Sequence, residues 1–384
     1  MRFDFSTTHR IVFGPGTVKE AGAAAQALGC RPFVVTGRTP ARAEPLLAAL
    51  RSHGLSYVTF AIAEEPTTDI VRQGTRLALA EGCDLVIAFG GGSVMDGGKA
   101  IAALATNRGD PLDYMEGIGG GNPLTRPALP IIAIPTTAGT GAEVTRNAVI
   151  ASPEHKVKAS LRSPFLLPRL ALVDPELTHS LPPEITAGAG LDALTQLIEP
   201  FVTPRANPLT DAFCREGLAR AVTSLRRAYT HGDDAAAREE MALASLFGGL
   251  ALANAGLGAV HGFAAALCGM FPAPHGPTCA ALLPHVMAIN VRALIARQPD
   301  GPALGRYHKI GGIVTGDSIA KAKDGVEWVA ALCRDLTAPR LSAYGVTRAD
   351  FAVLVEKAAV ASSMKANPIA LTRAEMEEAL EKAL

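Results

Sequence analysis

The strongest constraint on this chain is a change of rhythm near its middle. Up to about Asp174, short β-branched runs alternate with alanine-rich helical stretches: Phe33-Val34-Val35-Thr36, Ala41 to His53, Tyr57 to Phe60, Thr68 to Ala80 and Leu85-Val86-Ile87-Ala88-Phe89. Strand and helix in turn make βαβ units, which predict a parallel sheet. The run after Asp84 is apolar at nearly every position, as a strand covered by helices on both faces must be, and so belongs in the middle of that sheet. From about Pro183 the β-branched runs vanish, and alanine- and leucine-rich segments with helical spacing continue to Leu384. The prolines at Pro182-Pro183 disfavour continuing a helix or a central strand. The boundary is placed there: an α/β domain over 1–182 and an all-α domain over 183–384. Two domains also suit the length, since single cores stop growing at roughly 250 to 300 residues.

Lysine plus arginine equals aspartate plus glutamate at 36 each, so no global field draws in nucleic acid or anionic lipid. The six cysteines (Cys30, Cys83, Cys214, Cys268, Cys279, Cys333) are scattered with no C-x-x-C pair, the usage of a reducing compartment, and no disulfides are expected. Met1 to Arg10 includes Asp4 and Arg10 without an apolar core segment, so it does not read as a signal peptide, and a cytoplasmic protein is expected. Met241 to Val260 is uncharged and reaches the ~20 residues of a membrane span. It contains Asn254 and four glycines, however, and Leu243, Leu246, Phe247 and Leu250 fall on one stripe. It is read as a soluble helix closed by His261, and no membrane partner is expected.

Two glycine-rich turns follow strands. Leu85 to Phe89 runs into Gly90-Gly91-Gly92-Ser93-Val94-Met95-Asp96-Gly97-Gly98-Lys99, after which a helical pattern resumes. Glycine admits close backbone approach, and the first amides of the helix make an anion site, so a ligand phosphate fits here; a plain tight turn is the alternative. A P-loop would need glycine at Ser93 and a hydroxyl residue at Ala100, and a G-x-G-x-x-G would need glycine at Met95, so neither fingerprint applies. After Ile131 to Ile134, the run Pro135-Thr136-Thr137-Ala138-Gly139-Thr140-Gly141 offers hydroxyls at another strand's carboxyl end, where parallel sheets bind ligands.

In the helical half, Asp192 and Gln196 lie four apart on one helix face. His261 ends the uncharged helix, and His275 sits in a Pro272-Ala273-Pro274-His275-Gly276 loop. One carboxylate and two imidazoles suit Zn²⁺ with an open position or a non-haem Fe²⁺ triad. A cation there stabilises negative charge on a substrate oxygen as hydride leaves carbon, and polarises the carbonyl in reverse. Cys268 and Cys279 follow the two histidines by seven and four positions and are read as packing thiols.

Taken together, Gly90-Gly91-Gly92-Ser93 with Asp96 and Lys99, the Pro135 to Thr145 run, Asp174-Pro175, Gly190-Leu191-Asp192-Ala193-Leu194 and Pro274-His275-Gly276 resemble the iron-containing (group III) alcohol dehydrogenase family. The resemblance runs from Phe13-Gly14-Pro15-Gly16 to about Asn290. It implies the fold that family shares with dehydroquinate synthase: a dinucleotide-binding α/β domain, a helical metal- and substrate-binding domain, a cleft between them, and a homodimer. It implies hydride transfer between NAD(P) and a small alcohol or aldehyde. By the same resemblance Gly91, Gly92, Ser93 and Asp96 line the pyrophosphate and nicotinamide, Thr136, Thr137 and Thr140 bind phosphate and ribose, and Lys158 contacts ribose. Asp192, Gln196, His261 and His275 would hold a divalent metal, Fe²⁺ or Zn²⁺, with Mn²⁺ as a third option.

Three positions depart from that family. Gln196 and Ala265 stand where many members carry histidine, the second of them a proton relay. Thr36-Gly37-Arg38-Thr39 lacks the aspartate that NAD-preferring relatives carry after the second strand. Gly37 and Arg38 then become cofactor contacts that tilt the expectation toward NADP, with Arg38 pairing its 2′-phosphate. The alternatives are a glycerol dehydrogenase-like polyol oxidoreductase and a nucleotide-binding protein of the same fold without catalysis.

Overall fold

The sheet-forming half contains eight strands: β1 (Ile11–Phe13), β2 (Pro32–Thr36), β3 (Val58–Ala61), β4 (Leu85–Gly90), β5 (Ile131–Pro135), β6 (Asn147–Ser152), β7 (Val157–Arg162) and β8 (Leu170–Val173). In this computed structural model, which describes residues 2–384, six strands form one parallel sheet in the order β1-β8-β5-β4-β2-β3. As its unbroken apolar run predicts, β4 is central, paired to β2 and β5. Helices α1 (Ala21–Gln26), α2 (Glu44–Ser52), α3 (Thr68–Ala80), α4 (Gly92–Leu104) and α5 (Pro111–Tyr114) connect the strands.

Alternate strand residues feed two cores. Phe33, Val35, Val86, Ala88, Ile131 and Ala133 pack with Val71 of α3 and Ile101 of α4 on one face. Val34, Leu85, Ile87, Phe89, Ile132 and Ile134 pack with Ala25 of α1 and Leu46 of α2 on the other. This is the period-2 alternation of a strand, with both faces buried. Asp174 ties the sheet edge together: its carboxylate accepts from the amides of Gly16 and Val18, both at 3.1 Å, just beyond β1.

The antiparallel β6–β7 ladder was not expected. β6 alternates half-buried and buried positions and β7 is mostly half-buried, so neither presents the continuous apolar run that marks the main sheet. Lys99 of α4 pins this region down. Its buried ammonium donates to the carbonyls of Ala142, Thr145 and Asn147 and to the Thr145 hydroxyl. Burial lowers its pKa to about 8, against the opposing pull of Asp96 and Glu143.

The chain divides into two compact units, one of residues 6–137 and 141–179, the other of residues up to Phe5, 138–140 and 180–384. The second unit is helical: α6 (Pro183–Val202), α7 (Pro208–Thr230), α8 (Ala235–Ala255), α9 (Ala259–Met270), α10 (His275–Arg297), α11 (Pro302–Thr315), α12 (Ala322–Asp335), α13 (Phe351–Val360) and α14 (Arg373–Ala383). These helices share one core, in which Leu194, Leu197, Phe263, Leu267 and Leu282 are buried. Helix α10 is long and apolar enough to cross a bilayer, with mean hydropathy 1.6, but 72% of that window is buried.

Two expectations need correction here. The stretch Met241 to Val260 is not one helix closed by His261: α8 and α9 meet at a 97° bend. Gly256, at φ 82°, ends α8 in a conformation that side chains disfavour, and α9 restarts at Ala259. His261 therefore stands in the first turn of α9. Likewise His275 is not in a loop; it opens α10, with Pro274 as its N-cap.

Candidate metal centre and cofactor loops

Helix α6 carries Asp192, Gln196 and Glu199 at successive turns of one buried face. The two neighbouring helices begin at that face, and each brings its histidine in its first turn. His261 Nε2 lies 3.4 Å from Asp192 Oδ1. His275 Nε2 lies 3.5 Å from the same oxygen. The donor atoms of Asp192, His261, His275 and Cys279 all fall within 4.8 Å of one another. Thus the structure brings together the three groups proposed from sequence and adds a fourth.

Close helix approach makes this possible. A Cβ on Gly276 would lie 2.4 Å from the carbonyl oxygen of Gly188, and one on Gly188 would lie 2.9 Å from Pro277 Cδ. Any side chain at Gly276 must push α10 away from α6. We expect Gly276→Ala to destabilise the protein by about 1–3 kcal/mol and to separate His275 from Asp192. Thermal unfolding with and without Zn²⁺ checks this: the metal-induced rise in Tm should shrink, and an unchanged rise would refute the link.

Glu199, which the sequence reading missed, organises the centre from behind. Its carboxylate accepts from the Gly258 amide at 2.8 Å, the Val260 amide at 2.7 Å and His261 Nδ1 at 2.7 Å. The first two bonds cap α9. The third places the Nδ1 proton toward Glu199 and turns Nε2 toward Asp192, the arrangement that holds a metal-binding histidine in one tautomer. Its position, one turn beyond Gln196 on α6, was the only signal in the sequence.

The electrostatics favour positive charge. Burial works against the Asp192 carboxylate, but His275, His261 and the Gln196 amide hold its pKa below the ordinary value. Burial likewise opposes the His261 imidazolium, yet Glu199 and Asp192 raise its pKa to about 9. Gln196 donates its amide N–H to Asp192 Oδ2 at 2.9 Å. Three buried atoms, Asp192 Oδ1, Gln196 Oε1 and His261 Nε2, have no hydrogen-bond partner. Buried polar atoms are rarely left so, and the 3.4 Å approach of His261 Nε2 to Asp192 Oδ1 fits a divalent cation between them. Cys279, read as a packing thiol, is buried in the helical core, and its sulfur also lies 3.8 Å from His275 Nε2; burial pushes its thiol pKa well up. Ala265, one turn after His261 on α9, offers no group to carry a proton.

In the sheet unit the expected nucleotide residues gather at strand carboxyl ends. Helix α4 begins at Gly92, so the amides of Gly92 and Ser93 belong to its first turn, immediately after β4. The adjacent loop after β5 touches this turn: the Thr136 amide bonds the Gly90 carbonyl at 2.9 Å, and a Cβ on Gly91 would lie 3.3 Å from Thr137 Cγ2. Gly37, after β2, lies against Val94 on the other side. Asp96 is raised to about 6 by burial, with Lys99, the Val149 amide and Lys158 opposing. Lys158 pairs with Glu65 at 3.0 Å. Arg38 is exposed, 3.7 Å from Glu64. Thr140 falls within the helical unit, beside Gly139, where a Cβ would meet Ala189 at 3.0 Å.

Comparison with known proteins assigns this architecture. A family model for iron-containing alcohol dehydrogenase matches residues 8–175, and one for the C-terminal part of the Fe-containing alcohol dehydrogenase family matches residues 186–384. The chain is 36% identical over 374 residues to the 1,3-propanediol dehydrogenase of Klebsiella pneumoniae, with 95% of each chain covered. A solved 1,3-propanediol oxidoreductase matches with a TM-score of 0.91 and 33% identity over 100% of both chains. A sulfoacetaldehyde reductase from Bifidobacterium kashiwanohense, in complex with NAD+, matches with a TM-score of 0.87 and 26% identity, covering 100% of this chain and 99% of that one. This chain belongs to the iron-containing alcohol dehydrogenase family. It is an oxidoreductase, an NAD(P)-dependent alcohol dehydrogenase, as its motifs predicted.

Proposed function

We propose that this chain interconverts short-chain primary alcohols or diols and the matching aldehydes, using NAD(P) and a divalent cation held by Asp192, His261 and His275. The observation that carries this reading is the convergence of donor atoms from Asp192, His261 and His275, with Asp192 Oδ1 and His261 Nε2 buried and without a hydrogen-bond partner. The substrate class is supported by the 36% identity to a 1,3-propanediol dehydrogenase. A bound cation would supply Lewis-acid polarisation of the substrate oxygen. The chain's own groups hold that position: Asp192 is the common neighbour of both imidazoles, Gln196 orients Asp192, and Glu199 fixes the His261 ring. In this reading 1–182 takes the dinucleotide, with Gly91, Gly92, Ser93, Thr136 and Thr137 around its phosphates and Asp96 and Lys158 toward nicotinamide and ribose. Thr140, although grouped with the helical unit, joins the phosphate and ribose contacts, and 183–384 takes metal and substrate. The working unit is a homodimer, as the family resemblance implies.

The test is turnover at the nicotinamide band with a panel of short alcohols, diols and aldehydes, before and after chelation and reloading with Fe²⁺, Zn²⁺ or Mn²⁺. Turnover should fall on chelation and return with metal. Undiminished turnover in protein that elemental analysis finds metal-free would refute the reading.

At the adenosine end we propose that NADP is preferred. No acidic side chain follows β2 at Gly37-Arg38-Thr39, and the exposed Arg38 makes long contacts, 3.7 Å to Glu64 and 3.4 Å to the Ala63 carbonyl. A hydrogen bond to a charged group contributes about 1.5–3 kcal/mol. Arg38→Ala should therefore lower kcat/KM for NADP by roughly 10- to 100-fold and leave NAD nearly unchanged. Equal losses with both cofactors would count against a 2′-phosphate contact.

A further inference from the structure

We propose that the Cys279 thiolate is the fourth ligand of the cation held by Asp192, His261 and His275, and that this ligand set selects Zn²⁺ over Fe²⁺. The inference rests on the metal centre of the proposed function and goes beyond it.

Cys279 is fully buried, one turn after His275 on α10, so both side chains leave the helix on the same side. A tetrahedral zinc with bonds of about 2.0–2.3 Å has ligand-to-ligand edges of about 3.3–3.7 Å. The edges found are 3.4 Å for His261 to Asp192, 3.5 Å for His275 to Asp192 and 3.8 Å for Cys279 to His275. All four donor atoms lie within 4.8 Å of one another, so modest side-chain movements would close them on one ion, which a substrate oxygen would join as a fifth ligand. Gln196 is the rival for the fourth place. Its amide nitrogen is already bonded to Asp192 Oδ2 at 2.9 Å, and its oxygen is a neutral, hard donor. We therefore assign Gln196 to positioning Asp192. Thiolate is the softest donor available, and adding it to two imidazoles and a carboxylate shifts toward zinc a set that without it suits either metal. On binding, the S–H bond is broken, its proton leaves to solvent and a sulfur–metal bond forms, with no change in oxidation state.

Cobalt substitution reads the sulfur directly. Protein loaded with one equivalent of Co²⁺ should show a near-ultraviolet sulfur-to-cobalt charge-transfer band. Cys268→Ala should keep the band, whereas Cys279→Ala and Cys279→Ser should lose it while still holding cobalt, as their visible d–d bands report. Zinc affinity by chelator competition should fall by about 100-fold or more in Cys279→Ala, since losing a direct ligand exceeds the 10- to 100-fold loss typical of outer-shell partners. Metal-free wild type offered equal Zn²⁺ and Fe²⁺ should take zinc, and the ratio of zinc to iron bound should narrow in Cys279→Ala to what a nitrogen and oxygen site alone maintains. Cobalt bound by wild type without the charge-transfer band, or a band that survives Cys279→Ala, overturns the Cys279 assignment and leaves the three-ligand centre standing. No cobalt bound at all overturns both.

Discussion

Asp192→Ala should remove metal and turnover together. Asp192 Oδ1 lies close to both imidazoles, at 3.4 Å from His261 and 3.5 Å from His275, and so ties the two helix starts to α6. Lewis-acid stabilisation of a substrate oxygen is worth several kcal/mol. Each 1.36 kcal/mol is tenfold in rate, so kcat should fall by roughly 10³-fold or more. Asp192→Asn separates charge from shape: it keeps an acceptor for the Gln196 amide but loses the negative charge, and should lose metal nearly as completely. His275→Ala should behave like Asp192→Ala by a different route. Its side chain is 34% exposed, against 7% for His261 and 2% for Asp192, so it stands on the side where ligands exchange. Circular dichroism should show both variants folded, because neither side chain caps a helix. Full turnover in either one would end the metal reading.

The parts of this molecule that the sequence made legible are those set by local rules. Parallel strands buried on both faces are continuous apolar runs, which is why Leu85 to Phe89 could be placed at the sheet's centre before any coordinates. Helix α3 begins where Thr67 caps it, its hydroxyl accepting from the Ile70 amide at 3.2 Å, and it spans the stretch Thr68 to Ala80 read as helical from its composition. Asp192 and Gln196 were legible as a pair because a helix makes i and i+4 neighbours. The nonlocal parts were not. The stretch Met241 to Val260 stays uncharged across the bend, so its composition gave no reason to stop at Gly256. Cys279 lies on His275's face only because Pro274 starts a helix there rather than extending a loop. Glu199 was invisible for the same reason, since its three partners lie 59 to 62 residues further along.

That hidden carboxylate should be the most consequential residue that does not itself touch the metal. Glu199→Ala leaves two backbone amides and a ring N–H without their acceptor in a buried site. Breaking a buried pair of this kind costs about 3–5 kcal/mol, so a large fall in Tm is expected. Glu199→Gln is the gentler probe, and should weaken metal binding about 10- to 100-fold through loss of the His261 orientation. Titration distinguishes this from simple damage. The His261 pKa is raised from 6.5 to about 9 despite burial, chiefly by Glu199. For a group raised in the folded state, the stability it contributes is fully present below the unfolded value and is lost as pH climbs through the folded one. Metal-free wild type should therefore lose stability between pH 6.5 and about 9. Over the same range its metal affinity should rise, because the cation replaces the proton at Nε2. With glutamine at 199 the Coulombic support is gone, the His261 pKa falls back toward 6.5, and both dependences move to lower pH. Tm and metal affinity measured across that range check this. A variant that keeps the wild-type slopes would show that Glu199 only packs against α9 and does not set the charge on His261.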